Sequence, residues 1–263
     1  MAAMDVLFHN PSVGCSSDIE EEIPMTMQIG MVGTDGVLIA SDTLWMNSES
    51  TQYANVRHTG NTTKIEIDYP KGVAIACARN MEVAGRIAKD LICEMGANDW
   101  DEPGPRVESI ANKTLGESSE QRQEFQCTII TSSPEPRLFH LHAGIFKLQK
   151  GARCQQHSGK IIAGDMTNAA AFWAERYYPS TEPRRPIRQL VALSAHLIIA
   201  ASALNSAGIS GLEIVLCDAS GIHRLSDESI RKLELQVAER DESISTSLFG
   251  SQQQFTYAPN VIR

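Results

Sequence analysis

The chain has 263 residues, of which 42% are hydrophobic, and carries a formal net charge of −9. This content is enough to bury the core of one large or two small domains. The acidic balance disfavours a nucleic-acid surface, because phosphate binding needs an excess of Lys and Arg, and the cluster Arg184, Arg185 and Arg188 is too small to supply it. No apolar run approaches the roughly 18 to 20 residues of a spanning helix, and the acidic N-terminal segment lacks a secretory pattern. We therefore expect a cytoplasmic protein with neither a membrane nor a nucleic-acid partner.

The placement of the cysteines also favours a cytoplasmic protein. Six cysteines are scattered along the chain, namely Cys15, Cys77, Cys93, Cys127, Cys154 and Cys217. They form no C-x-x-C pair, and four of them stand in apolar contexts that are typical of a helix or strand. Buried free thiols are the favoured interpretation.

The N-terminal region divides at Thr26. Residues 1–25 contain turn formers and a run of glutamates but no periodic element, so we expect a leader or arm there. From Thr26 the alternation of Met27, Ile29 and Met31, followed by the Asp35-Gly36 turn, predicts a hairpin that ends at Ala40. A polar stretch over 43–61 precedes a second predicted hairpin. Its strands cover 63–68 and 73–78.

The rest of the chain alternates between helical and strand patterns. The remaining predicted elements are helices over 83–95 and 107–115, strands over 125–131, 138–143 and 145–150, helices over 167–178 and 186–206, and strands over 212–218 and 222–225. Gly96 and Gly208 stand where the first and last of these helices should stop. Two antiparallel sheets between two helix layers would bury every apolar face in this order. The predicted fold is therefore an α+β, four-layer αββα sandwich.

The segment Thr26-Met-Gln-Ile-Gly-Met-Val-Gly-Thr-Asp-Gly-Val-Leu-Ile-Ala-Ser-Asp42 resembles the start of mature proteasome β subunits and their bacterial relatives. These are N-terminal-nucleophile (Ntn) hydrolases, in which the threonine and aspartate are sixteen residues apart, as they are here. Weaker similarities follow in the same order at Thr62–Ile67, Val73–Arg79, Ile162–Asp165 and Ser210–Ile214. The resemblance covers about residues 26 to 230. It implies an Ntn domain over 26–235 and a C-terminal tail over 236–263.

The resemblance also implies a set of catalytic roles. Thr26 would be the nucleophile once its α-amino group is free, since that amine, with a reference pKa of ~7.7 to 8.0, can act as the base. Lys64 would keep positive charge beside the nucleophile, and Asp42 would fix that lysine. Backbone N–H groups of Arg79 or Asn80 would stabilise the oxyanion. This chemistry requires neither a cofactor nor a metal ion.

Several positions depart from the family pattern. Leu44 stands where many relatives carry Arg, Arg79 occupies the oxyanion glycine position, and Met25 rather than Gly precedes Thr26. The stretch between Asp42 and Lys64 is about six residues longer than usual in the family. The family's late Asp and Ser pair has no clear match. The nearest candidates for it are Asn205, Ser206 and Ser210.

Each assigned residue also has a simpler interpretation. Thr26 fits an ordinary strand residue, Asp42 a turn acid and Lys64 an edge-strand charge. His140 and His142 share one face of a strand and could pair on a metal, but no third ligand is evident, so solvated strand histidines are favoured. Gly14-Cys15 as a cysteine-type start is rejected, because no strand follows it.

Three functions remain open from the sequence. The leading one is a threonine-type endopeptidase that cleaves unfolded polypeptide inside a self-assembled homo-oligomeric ring, with an ATPase as a further partner. The second is a catalytically silent scaffold subunit of the same fold. The third is a small-amide hydrolase, because a fold alone does not fix the substrate.

Overall fold

The structure is a computed structural model that describes residues 26–50, 55–117, 124–144, 151–164, 169–179, 185–206 and 208–249. The expected leader over 1–25, which includes Cys15, and the expected strand over 145–150 lie outside these ranges. Of the described cysteines, Cys77, Cys127 and Cys217 are buried free thiols, whereas Cys154 is half-buried and Cys93 is exposed.

Two five-stranded antiparallel sheets form the centre of the molecule. Sheet 1 contains β1 (Met27–Val32), β2 (Gly36–Ser41), β10 (Lys160–Gly164), β11 (Glu213–Asp218) and β12 (Gly221–Arg224), in the order β10-β1-β2-β11-β12. Sheet 2 contains β5 (Ile65–Asp68), β6 (Val73–Arg79), β7 (Phe125–Thr131), β8 (Arg137–Ala143) and β9 (Arg153–His157), in chain order. A separate ribbon pairs β3 (Leu44–Ser50) with β4 (Asn55–Asn61). The ribbon was not predicted, because its sequence is polar.

Helices cover the outer face of each sheet. The helices are α1 (Met81–Glu94), α2 (Gly104–Glu117), α3 (Ala169–Tyr177), α4 (Ile187–Leu204) and α5 (Asp227–Phe249). One apolar cluster joins α1 and α2 to sheet 2, a second joins α3 and α4 to sheet 1, and a third fills the space between the sheets. These layers confirm the predicted αββα sandwich.

Helix α1 shows how local sequence selects this arrangement. Its apolar residues recur at helical spacing and are buried together against sheet 2: Val83, Ala84, Ile87, Ala88 and Leu91. Asn80 caps the N-terminus, since its side-chain oxygen accepts from the Glu82 and Val83 N–H groups at 3.2 Å each. The helix ends directly before Gly96, as expected, with Met95 in an extended conformation as its C-cap. Gly96 has φ −77° and so does not form a left-handed glycine cap.

Helix α4 is long and apolar enough to span a membrane by length and composition, which the sequence analysis did not expect of any segment. Its 18 residues have a mean hydropathy of 1.6. One face of it, including Leu190, Leu197 and Ile198, is buried against sheet 1. A core helix between a sheet and the neighbouring α5 accounts for this composition.

Helix α5 begins inside the predicted domain and crosses the expected boundary at residue 235. No helix was predicted there, because most of its residues are polar and most are exposed. Val237 is buried, and Ile230 and Leu233 pack against the α4 cluster. Tertiary contact through a narrow apolar stripe therefore supports a helix that periodicity alone did not reveal.

Candidate active site

The open end of the β1–β2 hairpin brings Thr26 and Asp42 together. Thr26 immediately precedes β1 and Asp42 immediately follows β2, in a register that pairs Gln28 with Ser41. The Met27 N–H donates to Asp42 Oδ1 at 3.0 Å, and the Asp42 N–H donates to the Met27 carbonyl at 3.2 Å. The hairpin arms are of equal length, so the two residues meet where the strands end.

Lys64 reaches this point from the facing sheet. It immediately precedes β5, and its Nζ lies 3.0 Å from Thr26 Oγ1 and 2.8 Å from Asp42 Oδ2. The structure thus brings together the three side chains that the sequence singled out. Their catalytic roles stay a prediction.

The three side chains are withdrawn from solvent. Thr26 is 2% exposed, and the Lys64 and Asp42 side chains are 1% and 0% exposed. Burial lowers the pKa of Lys64, although the Asp42 carboxylate counteracts this. Burial also raises the pKa of Asp42, against the opposing effect of Lys64 and two backbone donors. Both shifts favour the neutral forms, and the hydrogen bond between the two side chains opposes them.

Asp42 is oriented by the main chain as well as by Lys64. In addition to the Met27 bond, the Leu44 N–H donates to Asp42 Oδ2 at 3.2 Å. Leu44 is the position at which the sequence departs from the Arg of many proteasome β subunits, and the contact made here uses only the Leu44 backbone. The Ser210 carbonyl in turn accepts from the Thr43 and Leu44 N–H groups at 2.9 and 3.0 Å. Of the three candidates for the late Asp and Ser pair, Ser210 therefore supports the site through its backbone, while Asn205 ends α4.

Thr26 is also fixed from the β10 side. Gly164 has φ +88° and approaches the Thr26 carbonyl so closely that an added Cβ would lie 1.8 Å from that oxygen. The Gly164 N–H donates to Gln126 Oε1 at 2.6 Å, which links β10 to sheet 2. A residue with a side chain at this position would displace the Thr26 main chain.

The predicted oxyanion donors lie at the junction of β6 and α1. Arg79 has φ +67°, a left-handed conformation that favours glycine and that costs a non-glycine residue about 1–2 kcal/mol. Its guanidinium lies 3.8 Å from the Glu124 carboxylate. The Asn80 N–H donates to the Glu124 carbonyl at 3.4 Å, so that donor is already engaged. The role of either N–H group at an oxyanion stays a prediction.

A second polar network adjoins Lys64, and the sequence interpretation missed it. Glu213 on β11 accepts from the Lys64 N–H at 3.2 Å and from the Thr63 hydroxyl at 2.5 Å. Arg224 on β12 lies 2.8 Å from the same carboxylate. The available signal was Glu213 itself, because it is an acid beside an apolar run in a strand that was expected to be buried.

Histidines occupy another part of the space between the sheets. His140 and His142 lie on the face of β8 that also carries Leu138, with ring centroids 4.8 Å apart, and the His157 ring is 6.0 Å from that of His140. Burial, together with His142 and His157, lowers the pKa of His140 to about 3. Within the described ranges, no group of three or more His, Cys, Asp or Glu residues could hold a metal ion.

A cavity of about 410 Å³ lies at the β1–β2 turn, at the opposite end of β1 from Thr26. Its walls include Gly33, Asp35, Leu138 and His157. None of the three convergent side chains lines it. The cluster of Thr26, Asp42 and Lys64 and this cavity therefore lie at different ends of the sandwich.

Solved structures share this architecture. Anbu (ancestral beta-subunit) from Yersinia bercovieri aligns with a TM-score of 0.64 at 11% identity, covering 88% of this chain and 100% of that one. An Anbu (Gly-1) mutant from Hyphomicrobium sp. strain MC1 aligns with a TM-score of 0.60 at 12% identity, again covering 88% and 100%. The shared property is the fold.

Sequence comparison does not extend the likeness further. No protein-family model matches the chain, and no curated protein sequence matches it. The assignment to the family of proteasome β subunits and their bacterial relatives was therefore wrong, since the structural neighbours are Anbu proteins at 11% and 12% identity. The opening motif identified the fold correctly but did not identify the family.

Proposed function

We propose that the protein is a threonine-type peptidase in which Thr26 is the nucleophile. The observation that carries the proposal is the placement of Lys64 Nζ within hydrogen-bond distance of both Thr26 Oγ1 and Asp42 Oδ2. A buried ion pair is costly to maintain for stability alone. Its position against a hydroxyl at the start of β1 suits nucleophile activation.

The chemistry needs a free α-amino group on Thr26. That amine would take the Oγ1 proton as the oxygen attacks the peptide carbonyl, and would return a proton to the leaving amine. The Lys64 ammonium donates to Oγ1 and thereby stabilises negative charge that develops there, while Asp42 holds Lys64 in place. Water then releases the ester formed at Thr26 and regenerates the hydroxyl.

In the chain of 263 residues the Thr26 nitrogen is in a peptide bond with Met25, and Thr26 is 2% exposed. This observation supports a second candidate, a silent scaffold subunit of the same fold. The same peptide bond sets the condition for activity if the protein is a peptidase. Thr26 must become the first residue, and Met25-Thr26 suits a start at Met25 followed by removal of that methionine.

We further propose that the protein assembles into a homo-oligomeric ring. The description of the Yersinia bercovieri neighbour as an ancestral beta-subunit supports this. So does an exposed aromatic group on α3, where Trp173 stacks on Tyr177 and contacts Phe172. Light scattering at micromolar concentration that gives only a monomer would contradict the ring.

A cytoplasmic location is proposed from the free thiols at the described cysteines.

Peptide hydrolysis tests the proposed function directly. Three proteins are compared, namely the full chain, a form that begins at Thr26 after removal of an N-terminal fusion, and that same form with Thr26→Ala. Only the second should cleave fluorogenic peptides, with the Ala variant slower by on the order of 10³-fold or more. Equal rates in the second and third proteins, or no cleavage by a folded and assembled second protein, would refute the proposal and favour the scaffold.

A further inference from the structure

The Glu213 carboxylate connects the two sheets directly beside Lys64. Its Oε2 accepts from the Lys64 N–H at 3.2 Å, and its Oε1 accepts from the Thr63 hydroxyl at 2.5 Å. Arg224 Nη2 lies 2.8 Å from Oε1 and also donates to the Ile65 carbonyl at 2.7 Å. Two residues of sheet 1 therefore hold three consecutive residues that lead into sheet 2.

This ion pair is not accounted for by stability alone. The Glu213 side chain is 8% exposed, and the next residues on β11, Ile214 and Val215, belong to the apolar clusters on the two faces of sheet 1. Only the carboxylate of this pair is buried, because the Arg224 side chain is 37% exposed. Burying a carboxylate costs desolvation energy that an apolar residue at the same position avoids. A buried acid at this position is explained if its contacts serve the neighbouring lysine.

We propose that Glu213 and Arg224 are positioning residues for Lys64, which fix its main chain so that Nζ reaches Thr26 and Asp42. This inference rests on the proposed function of Thr26. Neither residue contacts the reacting hydroxyl, so both act through Lys64.

The charges around Lys64 make the inference specific. Asp42 faces it from the end of β2, Glu213 from β11 and Arg224, through Glu213, from β12, while β6 contributes the Cys77 N–H on the Lys64 carbonyl at 3.1 Å. Asp42 and Glu213 both raise the pKa of Lys64 against the larger lowering by burial. Loss of the Glu213 charge should therefore lower the pKa of Lys64. Loss of the Arg224 charge should act in the opposite direction, because Arg224 lies 2.8 Å from the Glu213 carboxylate and offsets its charge. A purely structural clamp gives no such opposed shifts.

The first experiment reads Lys64 without using hydrolysis. The full chain is produced with isotope-labelled lysine, and the Lys64 side-chain signal is followed by NMR across a pH series, because a side chain that is 1% exposed is out of reach of an amine-reactive reagent. The signal is assigned by its loss in Lys64→Arg. The midpoint should fall in Glu213→Gln, rise in Arg224→Gln and return near the wild-type value in the double variant. Glu66→Gln is the matched control, since it removes the same charge from an exposed position two residues from Lys64.

The second experiment measures activity in the form that begins at Thr26. Glu213→Gln should lower kcat on the order of tenfold to a hundredfold through a misplaced lysine, with KM nearly unchanged, whereas Glu66→Gln should match the wild type. Unmoved midpoints in both single variants, with only a loss of thermal stability, would overturn the inference. Absence of hydrolysis in the wild type would refute the proposed function instead, and the Lys64 titration midpoints distinguish the two failures.

Discussion

At the open end of the first hairpin, Lys64 and Asp42 are buried as a hydrogen-bonded pair, whereas His140 on β8 and His157 on β9 are half-buried imidazoles. Asp42 receives three donors, but among the described residues the buried Nε2 atoms of His140 and His157 have no hydrogen-bond partner. Burial lowers the pKa of Lys64, but the Asp42 carboxylate opposes that effect. Burial also lowers the pKa of His140, to about 3, and thereby keeps its ring neutral. The comparison shows that compensation, rather than burial alone, decides whether charge persists between the sheets.

Removing one member of the compensated pair should have the largest effect. We expect Lys64→Ala to reduce hydrolysis by on the order of 10³-fold or more, because Thr26 loses its neighbouring positive charge. It should also destabilise the fold by about 3–5 kcal/mol, because Asp42 is left buried and unpaired. Steady-state kinetics and urea unfolding measure the two effects.

A matched double variant separates catalysis from stability at this site. Lys64→Met combined with Asp42→Asn removes both charges while keeping an acceptor for the Met27 N–H. Stability should recover to within about 1–2 kcal/mol of the wild type, while hydrolysis stays absent. Recovery of hydrolysis in this double variant would mean that Lys64 has only a structural role.

The lowered pKa of His140 should make the protein sensitive to acid. The pKa of His140 is about 3 in the folded protein and 6.5 ordinarily. Between these two pH values the unfolded state therefore binds a proton at His140 that the folded state does not bind. Stability should therefore fall as pH drops below about 6.5, by up to about 1.4 kcal/mol per pH unit from this residue. His142 and His157, whose pKa values are also lowered by burial, act in the same direction.

Unfolding midpoints across pH 4 to 7 measure this effect, with buffer ionic strength held constant. His140→Gln should flatten the pH dependence, because it removes the group whose pKa is lowered to about 3. Identical pH profiles for wild type and His140→Gln would show that His140 does not titrate in this manner.

A smaller effect is expected at Gly30, which lies on β1 between the Thr26 end and the β1–β2 turn. An added Cβ would lie 2.8 Å from Leu138 Cδ1 and 2.9 Å from Thr128 Cγ2, so Gly30→Ala should overpack the space between the sheets at a cost of about 1–3 kcal/mol. Thermal unfolding measures the change. Leu138→Val in the same chain should restore part of the loss.

Gly85 provides the control for this substitution. It lies in α1 with no atom within 4 Å of an added Cβ, so Gly85→Ala should stabilise the protein by about 0.5–1 kcal/mol through helix propensity. If Gly30→Ala and Gly85→Ala changed stability in the same direction, the close approach of the sheets at Gly30 would not be the cause.

The sequence predicted most of the sandwich because its strands and core helices carry strong apolar periodicity, as in Met27–Met31 and Val83–Leu91. It predicted the convergence of Thr26, Asp42 and Lys64 from the register of a motif. Periodicity failed for the polar β3–β4 ribbon and for α5, whose buried stripe is narrow. Glu213 and Arg224 were missed because strands distant in sequence bring them to Lys64, and no local pattern records that pairing.

Covalent labelling of Thr26 tests the central claim most directly. The form that begins at Thr26 is incubated with an electrophilic peptide analogue that is attacked by a threonine hydroxyl, and the modified residue is located by tandem mass spectrometry. The account predicts one adduct per chain, on Thr26, which is lost in the Thr26-first form carrying Lys64→Ala and does not form on the full chain. An adduct on another residue, or equal labelling of Thr26 with Lys64 removed, would contradict the account.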